Sequence, residues 1–188
     1  MNDEHCLEQV IAGKTGYYRY LVNKYKDMLY SVAIGMLKNE TLAEEAVQDA
    51  FIKAYKGLKS FRGDSKLSTW LYKITVNESL KKLKNGGKFY TDIDIDGLNN
   101  DDMIVSSHAV HTLKEEEQKR FIHEVLNEMT PNESLLLRLY YLSEQSVDEI
   151  SEITGLSKSN IKVILYRARK NFYEILNRIL QSELQSIL

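Results

Sequence analysis

Apolar residues recur at intervals of three and four along most of this chain, and no stretch shows sustained alternation, so helices are expected and strands are not. Leu7, Val10 and Ile11 mark a short helix over Glu4–Ile11 that Gly13 ends. Tyr18, Leu21, Tyr25, Met28, Leu29, Val32 and Met36 mark a longer one. Thr41 and Glu44 have the spacing of a capping box, and the helix they open carries Ala43, Val47, Ala50, Phe51, Ala54 and Leu58 on one face. Gly57 and Gly63 bracket a break at Ser60–Ser65. Leu67, Trp70, Leu71, Ile74, Leu80 and Leu83 then predict a helix to Lys84, stopped by Gly86-Gly87. Periodicity lapses and resumes near Leu113, running to Met129. Thr130-Pro131-Asn132-Glu133 combines a cap, a proline at the first helical position and a capping-box glutamate, which starts another helix to Leu142.

The last third holds a sharper signal. Ser146 and Glu149 form a capping box, Gly155 supplies the left-handed residue that ends a short helix, and Ser157 caps the next. Two helices joined by a short glycine-containing turn make a helix-turn-helix. From Ser157 to Arg178 there are six bases (Lys158, Lys162, Arg167, Arg169, Lys170, Arg178) against one acid, Glu174. A helix with that local excess can neutralise phosphate in a major groove, so DNA binding is expected.

Charge elsewhere changes the picture. The 188-residue chain has a formal net charge of −2, so the positive charge is local, and something beyond this chain is expected to supply part of any DNA affinity. A second island runs from Lys53 to Lys88, with ten bases against Asp64 and Glu78, and Tyr55, Phe61, Trp70 and Tyr72 interleaved. Cations can track a phosphate backbone while aromatic faces receive unstacked bases. The same lysines also fit a solvated face above a core containing Trp70 and Phe61. Between the islands, Thr91–Glu117 holds eight acids and one base, Lys114, with Asn, Gly and Ser in its middle. That composition reads as a linker. The fold expected is all-α: two small helical domains, residues 1–88 and 113–188, on a flexible acidic linker at 89–112.

Several classes of chemistry are excluded or disfavoured. Cys6 is the single cysteine, so no internal disulfide forms, and no Cys/His set has zinc spacing. Asp92-Ile93-Asp94-Ile95-Asp96-Gly97 imitates the opening of a calcium loop, but Met103 stands where the bidentate glutamate belongs. His108 and His111 are expected to be exposed and incidental. No nucleophile elbow or glycine-rich phosphate loop is present, so an enzyme is not expected, nor is a metal or cofactor. The acidic N-terminus lacks the features of a signal peptide, and no apolar run approaches a membrane span, so a cytoplasmic protein with no direct membrane insertion is expected.

Three segments carry a resemblance to a known family: Glu44-Glu45-Ala46-Val47-Gln48-Asp49-Ala50-Phe51-Ile52-Lys53-Ala54-Tyr55, then Phe61-Arg62-Gly63-Asp64-Ser65, then Thr69-Trp70-Leu71-Tyr72-Lys73-Ile74-Thr75-Val76-Asn77. Together they resemble the second domain of extracytoplasmic-function sigma factors, members of the sigma-70 family and promoter-specificity subunits of bacterial RNA polymerase. The helix-turn-helix ending in Tyr166-Arg167-Ala168-Arg169 resembles that family's fourth domain.

The resemblance implies a set of roles. Glu45, Gln48, Asp49 and Ile52 would dock on the polymerase clamp's coiled coil. Phe61, Arg62, Gly63, Asp64, Ser65, Lys66, Trp70, Lys73 and Asn77 would recognise and melt the −10 promoter element. Trp70 has two readings, a wedge at the upstream fork or a core anchor, and its neighbours Leu71 and Ile74 favour the core. Lys158, Ser159, Asn160, Lys162, Val163, Tyr166 and Arg167 would read the −35 element as duplex, with Ile161, Leu165 and Ala168 packed inward. Ile164 stands where an arginine is usual in many members, which removes one phosphate contact. The implied partners are core RNA polymerase, through clamp and flap, promoter DNA and an anti-sigma factor, with no small-molecule substrate. The rival is a freestanding helix-turn-helix regulator that binds a palindrome as a dimer without polymerase. The second basic island disfavours it, because a sensor domain needs no strand-melting surface. An adaptor with no DNA role is a third class.

Overall fold

The computed structural model describes residues 2–85 and 115–187. The expected linker, the calcium-like run, His108, His111 and the Gly86-Gly87 stop lie outside the described residues. Eight α-helices account for most of the rest, and there is no strand among the described residues.

Four helices build the N-terminal domain: α1 (Asp3–Ile11), α2 (Gly16–Leu37), α3 (Glu40–Gly57) and α4 (Leu67–Asn85). Asn2 caps α1 by accepting from the His5 amide at 3.0 Å, and Asp3 ties α1 to α2 through Lys24 at 2.7 Å and the Tyr25 hydroxyl. Leu21, Tyr25, Leu29, Val32 and Met36 form the buried spine of α2, the face its periodicity predicted. Ala43, Ala46, Ala50 and Ala54 are all fully buried on α3, and small side chains at that spacing let α2 and α4 pack closely against it.

One cap differs from the sequence expectation. The N-cap of α3 is Asn39, whose side chain accepts from the Leu42 amide at 2.9 Å, and Thr41 already lies inside the helix. Asn accepts such a bond as well as Thr does, so an Asn two residues earlier took the position.

The C-terminal domain comprises α5 (Glu115–Glu128), α6 (Pro131–Leu137), α7 (Val147–Thr154) and α8 (Lys158–Ile187). The Thr130–Glu133 capping box forms as expected, with Pro131 in the first turn. After α6 the chain makes a wider π-type turn at Arg138–Leu142. Phe121 and Val125 of α5 are buried with Ile175, Leu176 and Ile179 of α8, and ion pairs Arg120–Glu183 and Arg178–Glu128 flank that contact.

The two domains are docked on each other, and their buried apolar residues form one continuous cluster. The seam is polar at several points. The Arg138 guanidinium, 1% exposed, donates to Ser134 Oγ at 3.2 Å, to Ser31 Oγ of α2 at 2.9 Å and to Asn127 Oδ1 at 3.1 Å. Lys38, which follows α2 with φ at 51°, donates to the Leu126 carbonyl at 2.7 Å. Thr69 of α4 donates to Gln145 Oε1 at 3.1 Å. Helix α4 is buried on more than the one face its apolar pattern marks: Thr75, Val76 and Ser79 are buried, as are Thr69 and Tyr72, which meet Gln145 and Ser143 of the C-terminal domain.

The observed cap gives a first prediction. Asn39→Ala should cost about 1 kcal/mol in urea denaturation, the usual value of an N-cap, while Thr41→Ala should change the midpoint little.

Candidate nucleic-acid interface

The helix-turn-helix is assembled by local bonds. Ser146 Oγ accepts from the Glu149 amide at 3.2 Å, and Glu149 Oε2 accepts from the Ser146 amide at 2.8 Å. Gly155 ends α7 at φ 77°, a left-handed conformation that a side chain would strain. Ser157 then caps α8 by accepting from the Asn160 amide at 3.3 Å. Ile150 and Ile153 of α7 and Ile161, Leu165 and Ala168 of α8 are buried, which fixes the rotation of the second helix.

That rotation distributes the residues assigned to duplex reading. Lys158, Ser159, Lys162 and Tyr166 are exposed, while Asn160, Val163 and Arg167 are half-buried. The Lys158 ammonium lies 2.9 Å from Asp148, and the Ser159 hydroxyl lies 3.1 Å from that of Ser157. Asn160 Oδ1 is buried without a protein partner. Ile164 is 5% exposed and belongs to the core, so an apolar residue at that position serves packing here.

The second surface spans the loop after α3 and the exposed edge of α4. Gly63 takes φ 76°, and Arg62 and Asp64 pair across it at 2.9 Å in open solvent. Lys66 is exposed, Ser65 and Phe61 are half-buried, and Lys66 reaches Glu149 of α7 at 2.9 Å. Trp70 is half-buried, its ring centroid 5.0 Å from that of Phe61, and a Cβ at Gly57 would lie 3.5 Å from its Cζ2. The indole is thus seated at the edge of the core.

Lys73 and Asn77 are exposed one turn apart on α4. Asn77 lines a cleft of about 460 Å³ with Lys53, Ile74, Glu78, Lys81 and Lys84. Glu78 is nearly buried in this cleft and pairs with Lys53 and Lys81. Desolvation pushes its carboxyl up, and the two ammonium groups outweigh that and hold it below the ordinary value. The sequence placed Lys53, Lys81 and Lys84 in the basic island from Lys53 to Lys88 without giving them individual roles at this surface. The spacing of Lys73, Asn77, Lys81 and Lys84 along one helical edge was the signal for two of them.

The residues assigned to docking lie together on the outer face of α3. Glu45, Gln48 and Ile52 are exposed and Asp49 is half-buried, with Ile52 at 53%. Tyr55, also exposed and missed from the sequence, extends the same face and meets Tyr18 edge-on at 4.9 Å between centroids. Lys82 of α4 bridges Glu45 at 3.0 Å and Asp49 at 3.1 Å, so the face carries two carboxylates gathered around one cation.

A further opening lies on the C-terminal domain. Ile122, Leu137, Tyr141, Leu142, Phe172 and Tyr173 line an apolar cleft of about 300 Å³, with the Tyr141 hydroxyl held by Arg169 Nε at 2.8 Å. Tyr141 and Leu142 are exposed. No helix among the described residues is long and apolar enough to cross a membrane, and no group of three or more His, Cys, Asp or Glu among them could hold a metal ion.

Known proteins share both halves of this arrangement. Residues 21–89 match the family description Sigma-70 region 2, and residues 120–172 match Sigma-70, region 4. The chain is 29% identical over 179 residues to the ECF RNA polymerase sigma factor SigW of Bacillus subtilis, covering 87% of this chain and 91% of that protein. It is 30% identical over 162 residues to the ECF RNA polymerase sigma factor SigM of the same organism, covering 85% of this chain and 94% of that protein. The sigma factor RpoE of Bartonella quintana, solved in complex with the anti-sigma factor NepR, has a similar fold. It aligns with a TM-score of 0.62 at 21% identity, over 85% of this chain and 96% of that chain.

Glu149 generates a pH prediction. The Lys66 ammonium holds its carboxyl below the ordinary value of 4.5, with the Ser146 hydrogen bonds adding to that and desolvation opposing it. A depressed carboxyl contributes its stability above the unfolded-state value and loses it as pH falls through the folded-state value. Glu149→Gln should therefore lower the urea midpoint at neutral pH, and the deficit should vanish in acid. The effect should stay below about 1 kcal/mol, because the Lys66 side chain is 69% exposed.

Proposed function

Because the chain belongs to the extracytoplasmic-function sigma factors of the sigma-70 family, we propose that it binds core RNA polymerase and directs promoter-specific initiation, reading the −35 element as duplex and the −10 element as melted strand. One observation carries this reading: the two family regions fall, in order, on the two basic surfaces. Residues 1–88 form the polymerase- and −10-binding domain, residues 89–112 the linker and residues 113–188 the −35 domain. Synthesis of RNA belongs to the core enzyme.

The physical division of labour follows from the surfaces. The exposed edge of α8 lays cations along duplex phosphates and places Lys162 and Arg167 near base edges. At the −10 element a base must be unstacked before its edge is read, at a cost of roughly a few kcal/mol. The Arg62–Ser65 loop and Asn77 offset that by hydrogen bonding the extruded base, while Lys73, Lys81 and Lys84 follow its backbone. Trp70, seated on Phe61, acts as the anchor that holds the loop against α4. The clamp's coiled coil takes the α3 face, where carboxylates meet its basic residues and Ile52 and Tyr55 bury apolar surface. We assign the flap to the apolar cleft, since Tyr141 and Leu142 offer it exposed apolar area. An anti-sigma partner would act by covering either surface.

Run-off transcription with purified core enzyme on a randomised promoter library tests the whole reading. Transcripts should start at a common pair of elements only when the chain is present. Tight, sequence-specific, dimeric binding to a palindrome by the chain alone would establish the freestanding regulator instead.

Two further outcomes separate the surfaces. Asp49→Lys should weaken core binding in a titration while leaving duplex contacts of the C-terminal domain unchanged; equal core affinity would remove α3 from the interface. Arg167→Ala should lose roughly 1–3 kcal/mol of −35 binding if the contact is bidentate to a base, with relaxed preference at that position. Asn77→Ala should instead impair opening, read by permanganate footprinting of unpaired thymines, with −35 binding retained. Normal opening by Asn77→Ala would return the α4 edge to a solvated lysine face.

A further inference from the structure

A carboxylate is out of place on a surface that follows a phosphate backbone, yet Glu78 lies in the middle of the basic edge of α4. It lines the cleft with Lys53 of α3 and with Asn77, Lys81 and Lys84 of α4. Its Oε1 takes both neighbouring ammonium groups, Lys53 at 2.5 Å and Lys81 at 2.9 Å. The two nitrogens are therefore no farther apart than those two lengths together, and each has N–H donors left over. Burial orders the three groups. The Glu78 side chain is 9% exposed, whereas that of Lys53 is 49% and that of Lys81 56% exposed. The carboxylate thus lies beneath, and the ammonium groups lie at the rim.

As a means of stabilising the fold this cluster is a poor one. Desolvation works against the Glu78 charge, and a pair whose cations are half in water contributes little. The two helices are joined without it: Val47, Phe51 and Ala54 of α3 and Leu71 and Val76 of α4 belong to one buried apolar cluster. What the carboxylate does accomplish is placement. Without it, two like charges that close repel, and two long flexible side chains spread apart.

We propose that Glu78 is a positioning residue for strand binding: it holds Lys53 and Lys81 together as a seat for one phosphodiester of the melted strand, beside the base that Asn77 meets. The proposal rests on the sigma reading for the identity of the ligand. It brings Lys53, which belongs to the docking helix α3, into the strand-binding surface. A phosphate at the rim meets the two ammonium groups first and the carboxylate only behind them, so the cluster attracts it. Charge-assisted bonds from two sides then hold it. Because the seat is preformed, the cost of ordering two lysine side chains does not fall on the binding step.

Charge counting and positioning predict opposite signs for one substitution. Holoenzyme is formed from purified core enzyme and a saturating excess of the full chain, on a promoter selected from the randomised library. Opening is read by permanganate across a salt series, with core affinity, helix content and urea midpoint measured for each variant. Glu78→Gln removes a negative charge beside DNA, yet it should weaken opening about fivefold at about 0.1 M salt and flatten the log–log salt slope by about 0.7, the value of one single-strand phosphate contact. Lys53→Met should do the same, and the double variant should lose no more than either single one. A mere tie between helices would lower the urea midpoint and leave the slope as it is. Opening by Glu78→Gln that equals or exceeds the parent's overturns the proposal, as does an unchanged slope in Lys53→Met. Should Glu78→Gln fail to fold, Lys53→Met, altered at a half-exposed side chain, decides by its slope alone. A parent holoenzyme that starts no promoter-specific transcripts would instead mark failure of the sigma reading.

Discussion

Arg138 is buried to 1% exposure between two helical domains, and every oxygen it bonds is neutral. Burial pulls its guanidinium down to about 10, still well charged at neutral pH. The same charge, after desolvation, helps lower Lys38 to about 8 and His123 below its ordinary value. Three basic groups thus share one end of the seam. This constraint sets the relation between the domains, because the guanidinium needs Gly35 beneath it and Ser31 beside it, both on α2. On the far side of the seam, α7 packs against α4. The apolar cluster is continuous across the seam, and the polar groups inside it are hydrogen bonded from one domain to the other.

The surfaces left open by this docking are segregated by charge. Carboxylates gather around Lys82 on α3, lysines line the exposed edge of α4, and bases line the outer side of α8. A chain of net charge −2 gains no general attraction for DNA from this arrangement. The three patches differ in charge, and in the proposed function each meets a different partner chemistry.

Much of this was legible in the residues because it depends on short-range rules. Capping boxes at Thr130 and Ser146, the left-handed Gly155, the Ser157 cap of α8 and the 3.6-residue spacing of α2 each follow from contacts within a few positions. The inward set Ile161, Leu165 and Ala168 and the outward set on α8 came from the family resemblance, and all three inward residues are buried. The α3 cap was misplaced by two residues because Asn39 and Thr41 carry equivalent signals, and only the backbone conformation at Asn39 decides between them. Ile164 had been set against a missing cation; its burial shows that packing claimed the position.

The sequence by itself determined the helices, their faces and the separation of charge into islands, since backbone bonding and amphipathic period are local properties. Tertiary structure alone decided that Thr69, Tyr72 and Ser79 are buried, that Lys66 pairs with Glu149, and that a glycine in the last turn of α2 makes room for an arginine 103 positions later. Those facts depend on contacts between residues far apart in the chain. No periodicity encodes such contacts, because a polar residue such as Thr69 or Arg138 enters a core only when a second surface supplies its hydrogen bonds.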